Sequence, residues 1–442
     1  MLDRLTDQLG FPSLGHHRRF VTAIAIDAIG SGVFMPVSML YFLVTTDLSL
    51  VQVGAAISIA SAVSIPAGPL LGGVVDRYGA KAVLLAGNLA QFVGFLAYLF
   101  TDSFLGLTLW TVVVATGRTA FWGSYGNIVA AISEPGEREK WFGFLGALRN
   151  VGFAVGGLLS GVAISVGTQA AYLAVVLINA VSYAVAFLLL LAVPPTHAGG
   201  HRTPEGAWAT VLRDRPYRLL WVVQFTYSTA MMALNFAVPI YAVTVLGLPG
   251  WVTGAVFTLN TVMVGFGQGL VVRGMTGHRR WRVLVLTNVV FAVSFVVMLG
   301  AGELSLVLGT VTLLLGSIVY TGGELLGGPV LGALGAEAAP EHLRGRYLSL
   351  MQLAWTTSSA AAPVAFAWLL DRGSAPIWLA LAVVSVAGAL LAVRLGRVLP
   401  QAAQQVTNRS TRLDGDLVND PTPNQESSCA SECSPEAGTA PA

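Results

Sequence analysis

Three ionisable residues lie inside long apolar stretches of this sequence: Asp27, Arg118 and Glu324. A charge at the middle of a bilayer costs at least about 2.5–3.5 kcal/mol, so it persists only with a partner, water or a functional role. A carboxylate can take up and release a proton, whereas a guanidinium stays charged and attracts carboxylates and other anions. The sequence therefore predicts proton-coupling or substrate-binding roles for these three residues.

A structural alternative stays open for each of the three. Asp27 could be a hydrogen-bond partner for a neighbouring helix, and Arg118 could bind backbone carbonyls. Glu324 could lie in interfacial water, where a carboxylate needs no protein partner. A fourth ionisable residue, Arg149, lies near the start of another apolar stretch, and we expect it to extend its charge to the membrane interface.

Aromatic and amide side chains in two of the apolar stretches could line a cavity. They are Trp122, Tyr125, Tyr227, Asn235 and Phe236. A pocket built from such side chains is amphipathic and suits organic molecules better than sugars or inorganic ions. Plain helix packing is the alternative interpretation for these residues.

Composition places these residues in a membrane protein. The 442 residues are 55% hydrophobic and 10% charged, whereas a soluble domain carries about 25% charged residues. The mean hydropathy is +0.72, and the 50 glycines suit close helix packing in lipid. The net charge of +2 gives no indication of nucleic-acid binding.

Apolar runs of about 20 residues are long enough to cross about 30 Å of hydrocarbon, and the sequence contains twelve of them. They cover residues 20–44, 50–72, 81–100, 104–131, 141–165, 169–193, 217–245, 251–272, 281–300, 304–332, 346–370 and 375–398. The sequence therefore predicts an all-α integral membrane protein with 12 transmembrane helices.

The distribution of charge orients these spans and divides the chain. All but one of the Lys and Arg residues outside the spans fall on the same side, which predicts a multi-pass protein of the plasma or inner membrane with both termini in the cytoplasm. We expect a first six-helix bundle at 1–193, a cytoplasmic loop at 194–216 and a second bundle at 217–399. The polar residues 400–442 predict a disordered cytoplasmic tail.

The two halves of the chain resemble each other. Arg118 and Glu324 are as far apart in sequence as Gly157 and Pro363, and each pair lies at corresponding points of the two halves. Internal repeats of this kind are common in transporters, where parallel halves are related by an axis along the membrane normal. The spacing therefore predicts two pseudo-symmetric bundles, with Arg118 and Glu324 on opposite walls of one central cavity.

A short charged turn separates the second and third spans, and its residues are Gly72, Asp76, Arg77, Gly79 and Lys81. Glycine permits a tight reversal, and a carboxylate here can interact with the N-terminus of a neighbouring helix. The turn resembles the loop 2–3 signature of the major facilitator superfamily, with Val74 in place of Leu and Ala80 in place of a basic residue. This resemblance implies a conformational gating role.

A glycine-rich segment in the fifth span resembles the antiporter signature of the drug exporters in that superfamily. Gly152, Gly156 and Gly161 match, whereas Gly157 stands where proline is expected and Ser160 stands where glycine is expected. Pro363 occupies the equivalent place in the second half. Small residues at this spacing also pack helices in lipid, and without the proline the direction of transport stays open.

Two further segments carry the resemblance. The one that starts at Asp27 is similar to the first-helix pattern of the superfamily, with an acid followed by glycines and a proline. The one around Arg118 is similar to the fourth-helix motif, although Phe121 replaces a glutamine and Gly123 is one place late. The resemblance implies that the first and fourth helices border one cavity. We therefore expect Arg118 to be the partner of Asp27.

The function implied is secondary transport by a monomer in the lipid bilayer: proton-coupled efflux of a small amphipathic organic compound. An importer or uniporter for a nutrient is one alternative, and a transport-inactive receptor or scaffold is another. No enzymatic activity is expected, because the sequence lacks a phosphate-binding G-x-x-x-x-G-K loop and a nucleophile signature. No cofactor or metal site is expected either, since the two cysteines, Cys429 and Cys433, lie in the tail.

Overall fold

The computed structural model describes residues 11–134, 136–193, 207–370, 372–399 and 403–407. These residues form twelve long helices, α1–α12, and one isolated antiparallel bridge between Arg279 and Gln405. The prediction of an all-helical membrane protein with twelve spans is confirmed. Ten of the helices are long and apolar enough to cross a membrane on length and composition alone.

The first six helices have simple boundaries except for α1. Helix α1 begins with Arg18–Phe34, passes through a 3₁₀ turn at Met35–Val37 and continues as Ser38–Thr45. The others are α2 (Leu50–Tyr78), α3 (Ala80–Tyr98), α4 (Phe104–Ile132), α5 (Arg138–Val166) and α6 (Gln169–Leu191). The 3₁₀ turn contains Pro36, which lacks the N–H needed to continue a regular helix.

The second six follow a short linker helix, Ala207–Arg213. Helix α7 consists of Arg215–Met232, a π-helical segment at Ala233–Ala237, Val238–Ile240 and a second π-helical segment at Tyr241–Val245. The others are α8 (Gly250–Gly274), α9 (Arg280–Gly300), α10 (Leu306–Glu337), α11 (Arg344–Leu370) and α12 (Ser374–Val398). Pro239 lies between the π-helical segments, where it interrupts the backbone ladder.

Helices α7 and α11 are the two that do not qualify as spans on composition alone. The regular part of α7 is only 18 residues long and starts with two arginines in four residues. Helix α11 begins with Arg344 and Arg346 and contains the polar run Thr356–Thr357–Ser358–Ser359. Some of these polar groups are satisfied inside the bundle, since Ser358 and Ser228 of α7 bond each other at 3.1 Å.

The apolar cores of the two halves are separate. One cluster of buried residues extends from Val211 to Val406 and unites α7–α12, whereas two smaller clusters unite α1–α6. A small cluster of Ala147, Val264 and Leu325 joins the halves. The helices therefore form two six-helix bundles. The residues 194–206 of the predicted central loop lie outside the described part of the chain.

Residues 403–407 depart from the predicted disordered tail. Their backbone pairs with the turn between α8 and α9, and Val406 is completely buried. Five residues are too few to show a hydrophobic period, so this ordered segment could not be predicted from the sequence. The rest of the tail beyond residue 407 lies outside the described residues.

The bundles contact each other at one end of the molecule, which we name the basic end. It carries the turns α2–α3, α4–α5, α8–α9 and α10–α11, which the charge pattern predicts to be cytoplasmic. Here α5 packs on α8: Gly143 lies against Val272, and Val151 lies against Gly265.

The bundles diverge toward the other end, which we name the opposite end. The face of α5 that packs on α8 through Gly143, Ala147 and Val151 continues through Leu158 and Val162. Leu158 is 75% exposed and Val162 is 61% exposed. On α8, Gly254 and Thr258 are likewise exposed. The space between the bundles is therefore closed at the basic end and open at the opposite end.

Candidate substrate-binding cavity

A buried ion pair joins α1 and α5. The Nη1 atom of Arg149 donates to Oδ2 of Asp27 at 2.7 Å, and only 3% of Asp27 and 8% of Arg149 are exposed. The prediction that Arg118 is the partner of Asp27 is therefore wrong in this structure. The expectation that Arg149 extends to the membrane interface is also wrong.

Close packing of α1 on α5 explains the pair. Gly156 lies against the backbone of Ile29 and Gly32, and Gly152 lies against Ala28. Small residues let two helix backbones approach in lipid, and at this separation Arg149 reaches Asp27 directly. The glycine motif of α5 thus positions the charge. The sequence signal was present, since Arg149 precedes the motif by only three residues.

The Arg149 guanidinium is also enclosed by aromatic rings. Its central carbon lies 4.5 Å from the ring centre of Trp122 and 5.5 Å from those of Phe121 and Phe153. A cation over an aromatic face is attracted by the ring quadrupole, by about 2 kcal/mol where water is excluded. The cation is therefore held from two sides, by a carboxylate and by π faces.

The Asp27–Arg149 pair forms part of the wall of a cavity of about 350 Å³ in the first bundle. The wall also contains aromatic side chains from five helices, namely Phe34, Phe42, Phe95, Tyr98, Phe121, Trp122, Phe153 and Tyr183. Its neutral polar groups include Ser31, whose hydroxyl lies 3.1 Å from that of Tyr183. We name this space the bundle cavity.

Arg118 is the third charged residue of the bundle cavity. Its side chain is exposed to that space. Within the described residues it takes part in none of the ion pairs or hydrogen bonds, although Asp27 belongs to the same wall. The structure therefore brings Asp27 and Arg118 to one cavity without pairing them.

A second, smaller cavity of about 200 Å³ lies between the bundles near the basic end. Trp122 and Tyr125 of α4 face Tyr227 of α7 and Trp355 of α11 across it. Trp122 borders both cavities. The other two predicted lining residues border neither: Asn235 donates to the carbonyl of Met231 in its own helix, and Phe236 packs against the core of the second bundle.

Glu324 is bound within the second bundle. Asn260 of α8 donates through Nδ2 to Oε2 of Glu324 at 2.6 Å and to the hydroxyl of Thr321 at 3.1 Å. Glu324 lines neither cavity. The expectation that it faces Arg118 across one central cavity is therefore not met. Asn260 was missed from the sequence, although an amide inside the eighth apolar run was a visible signal.

At the basic end, Asp76 joins the bundles. Its Oδ1 accepts from the backbone N–H of Gly345 and its Oδ2 accepts from Nη1 of Arg346, both at 2.6 Å. Helices α2 and α11 approach closely because Gly72 lies against Ser349 and the α11 backbone. A carboxylate at a helix N-terminus is also favoured by the helix dipole. We name this contact the Asp76 clasp.

The remaining residues of the predicted gating turn shape its backbone. Gly79 has φ of 86°, a conformation that side chains disfavour. The Arg77 guanidinium lies over the ring of Tyr78 at 5.3 Å. Lys81 donates through Nζ to the carbonyls of Leu191, at 2.9 Å, and Val193 at the end of α6.

A second ionic contact between the bundles surrounds Arg280 at the start of α9. Its Nε donates to Glu139 of α5 at 2.6 Å, and its Nη1 donates to Glu337 of α10. Arg138 lies 3.5 Å from the other oxygen of Glu337. Arg280 is 1% exposed and Glu139 is 0% exposed. We name these four residues the Arg280 cluster. It could not be predicted from the sequence because its members come from three distant turns.

The glycine motif divides into two pairs. Gly152 and Gly156 pack on α1, whereas a methyl group added at Gly157 or Gly161 would meet no atom within 4 Å. The side chain of Pro363 lies outside the described part of the chain. Half of the motif therefore serves the α1–α5 contact, and the other half borders open space.

Two six-helix bundles, the first of which encloses a cavity with buried charges, define the class: a polytopic membrane transporter, not an enzyme. The chain belongs to the Major Facilitator Superfamily, whose family model matches residues 20–363.

Curated relatives include bacterial drug-resistance proteins. The class B tetracycline resistance protein of Escherichia coli is 24% identical over 261 residues, which cover 55% of this chain and 60% of the relative. The class G protein of Vibrio anguillarum is 27% identical over 40% of this chain and 45% of its own. These alignments thus span about half of the relatives. Multidrug resistance protein MdtH of Klebsiella pneumoniae (strain 342) is 24% identical over 82% and 88% of the two chains.

Solved structures share the fold at low identity. The human organic anion transporter MFSD10 matches with a TM-score of 0.68 and 16% identity, over 85% of this chain and 99% of that one. The proton:xylose symporter XylE matches with a TM-score of 0.69 and 13% identity, over 88% and 97%.

Proposed function

We propose that the protein exports a small amphipathic organic compound from the cytoplasm in exchange for protons, as a monomer that works by alternating access. The observation that carries the proposal is the Asp27–Arg149 pair, which places a buried carboxylate in the wall of a cavity. Two of the curated relatives confer resistance to tetracycline and one to multiple drugs, by their names. Export of an amphipathic compound is consistent with those names.

The arrangement of the bundles supports an outward-facing state. The basic end is closed by the Asp76 clasp and the Arg280 cluster, and by the positive-inside rule it is the cytoplasmic end. The opposite end, where α5 and α8 diverge, then faces outward. An exporter in this state releases substrate outside and receives a proton there.

Proton uptake at Asp27 would weaken this state. A protonated Asp27 leaves the Arg149 charge without its carboxylate, and breaking a buried ion pair costs about 3–5 kcal/mol. A rearrangement that gives Arg149 a new partner then becomes favourable. The proton thereby acts on α1 and α5, two of the helices that line the bundle cavity.

Inside-out membrane vesicles from cells expressing the protein test this proposal. A panel of fluorescent amphipathic compounds is offered while the vesicle lumen is made acidic, and accumulation in the lumen is measured. Asp27→Asn should abolish pH-driven accumulation of any accepted compound at normal expression. Asp102→Asn, which changes an exposed carboxylate in the α3–α4 turn, is the matched control and should transport normally. Undiminished pH-driven transport by Asp27→Asn would overturn the assignment.

A further inference from the structure

The charges of the bundle cavity do not cancel. Its charged wall residues are Asp27, Arg149 and Arg118. Asp27 and Arg149 neutralise each other at 2.7 Å, and Arg118 adds one positive charge that is unmatched among the described residues. The phenols of Tyr98 and Tyr183 are neutral at physiological pH. The cavity therefore carries a net positive charge in its present state.

The Arg118 side chain is exposed to the bundle cavity, and within the described residues it forms no ion pair or hydrogen bond with the protein. Its guanidinium has five N–H donors in a planar fork that fits the oxygens of a carboxylate or sulfonate. Bonds of this kind to an ionised acceptor are about twice as strong as neutral hydrogen bonds. The surrounding rings, among them Phe34, Phe95 and Phe153, offer apolar contact to the body that carries the acid.

We infer that the substrate is an amphipathic organic anion whose acidic group binds Arg118 and whose apolar, partly aromatic body contacts the rings of the bundle cavity. This inference rests on the proposed transport function and specifies its substrate class. A cationic compound would meet the unmatched charge of Arg118 and is disfavoured by electrostatic repulsion. A neutral compound would lose the charge-assisted bonds.

Two probes with the same aromatic skeleton separate these classes. 8-Anilinonaphthalene-1-sulfonate carries a sulfonate, and N-phenyl-1-naphthylamine lacks it. Equilibrium binding of each to the purified full-length protein is measured in detergent by fluorescence, with wild type, Arg118→Gln and Arg118→Lys. Arg118→Gln should weaken binding of the sulfonate probe by at least about tenfold, as expected for loss of a charged hydrogen bond. The neutral probe should change less than twofold, and Arg118→Lys should restore part of the sulfonate affinity.

The outcomes distinguish this inference from the proposed function. Equal binding of the sulfonate probe by wild type and Arg118→Gln would overturn the anion assignment, even if the vesicle assay shows proton-driven export of other compounds. Arg118-dependent binding of the sulfonate probe, without any proton-driven flux in vesicles, would support the anion site and overturn the transport proposal. A thermal unfolding scan of each variant checks that the fold is unchanged.

An independent observation concerns residues 403–407, which we name the C-terminal strap. Its backbone bonds the turn between α8 and α9: Gly277 N–H donates to Val406 O at 2.7 Å, Val406 N–H to His278 O at 3.0 Å, and Arg280 N–H to Gln404 O at 2.8 Å. Val406 is 0% exposed and Ala403 is 5% exposed. The strap is thus fixed by both backbone pairing and burial.

The strap also holds the side chain of Arg280. Nη1 of Arg280 donates to the carbonyl of Ala403 at 3.0 Å, while the same guanidinium bonds Glu139 of the first bundle and Glu337 of the second. Arg280 is therefore fixed by the strap at both its backbone and its guanidinium. An arginine that is positioned in advance loses less side-chain entropy when it binds a carboxylate.

The geometry points to a regulatory role for the strap: when bound, it holds Arg280 against Glu139 and keeps the basic end closed, and its release shifts the conformational equilibrium toward opening there. The strap contacts the second bundle, whereas Glu139 belongs to the first. Its effect on the bundle contact therefore passes through Arg280. A two-state equilibrium shifts by the difference in contact energy between the states.

Two truncations provide a matched pair. A chain that ends at Thr407 keeps the strap, and a chain that ends at Leu399 lacks it. Both lack Cys429 and Cys433, the only cysteines of the sequence, so each gives a cysteine-free background. Leu348→Cys then places one thiol in the cavity between the bundles, beside Gly126. Its labelling rate by a membrane-impermeant maleimide, added to inside-out vesicles so that only the basic end is exposed to the reagent, should be severalfold higher in the shorter chain.

Equal labelling rates in the two truncations would overturn the role of the strap. If the shorter chain does not fold, Val406→Asp in the longer chain displaces the strap by burying a charge and should give the same increase. A Glu139→Gln background tests whether the strap acts through Arg280. In that background, loss of the strap should raise the labelling rate only slightly further, because the bond between residue 139 and Arg280 is already weakened. A full additional increase in that background would overturn the action through Arg280.

Discussion

Asp76, at the end of α2, accepts a hydrogen bond from the backbone N–H of Gly345, at the start of α11 in the other bundle. Because the donor is a backbone group, no substitution at position 345 other than proline removes it directly. The carboxylate simultaneously binds Arg346. One side chain therefore meets both the positive end of a helix and a guanidinium across the bundle interface.

Asp76→Asn should weaken the closed state of the basic end. The amide can accept one hydrogen bond but no longer neutralises Arg346, so the partly buried arginine is left without its counter-charge. We expect faster labelling of single cysteines placed along α5 and α8 near this end. Asp102→Asn serves as the control, and an unchanged labelling rate in Asp76→Asn would contradict a gating role for the clasp.

Two adjacent glycines of α5 should respond in opposite ways to the same change. A Cβ at Gly156 would lie 2.3 Å from the carbonyl oxygen of Ile29, so Gly156→Ala should destabilise the protein by about 1–3 kcal/mol through overpacking. Gly157→Ala meets open space and replaces a poor helix former, so it should be neutral or slightly stabilising. Thermal unfolding in detergent measures the stability of both variants. An equal loss of stability in the two would contradict the close packing of Gly156 on α1.

The ion pair between Asp27 and Arg149 should be visible in a double-mutant cycle. Arg149→Gln leaves a buried carboxylate without its partner and should cost about 3–5 kcal/mol. Adding Asp27→Asn removes that charge, so the double variant should be more stable than Arg149→Gln alone. Arg118→Gln should cost little, because Arg118 has no described partner. Additive effects of the two substitutions in the pair would show that it contributes no coupling energy.

The hydrogen bond from Asn260 to Glu324 predicts that the stability of the protein depends on the Asn260 amide. Asn260→Leu removes the amide donor and should destabilise the protein by about 1–3 kcal/mol, since the carboxylate is left without this bond. Glu324→Gln keeps an acceptor oxygen for Asn260 and should be tolerated. Denaturation of the two variants in parallel compares their stabilities. A larger loss of stability in Glu324→Gln than in Asn260→Leu would mean that the charge, rather than the hydrogen bond, stabilises α8 against α10.

The spans could be predicted because the bilayer imposes a length of apolar sequence that is local to each helix. The partner of Asp27 could not be predicted in this way. Asp27 and Arg149 are 122 positions apart, and which arginine reaches the carboxylate depends on how closely α1 approaches α5. Gly152 and Gly156 set that approach, so the motif was recognised while its consequence for the charge was not.

The same limit applies to the contacts between bundles. The turn around Asp76 could be predicted from its own residues, but the groups that donate hydrogen bonds to Asp76, the backbone N–H of Gly345 and Nη1 of Arg346, belong to the other half. Arg280 and Glu139 each look like ordinary loop charges until the bundles are brought together. The five residues of the C-terminal strap are ordered by a turn far from them in the sequence.

The buried ions of the basic end also bear on how variants of this protein would be selected. Arg280 and Glu139 are almost completely removed from solvent, so any cycle that exposes the basic end must rehydrate them. In the proposed alternating-access cycle, substitutions that strengthen this end would raise the melting temperature and would also stabilise the conformation from which each cycle must escape. A variant selected only for a high melting temperature would then transport slowly, and one selected for fast turnover would unfold more easily in detergent.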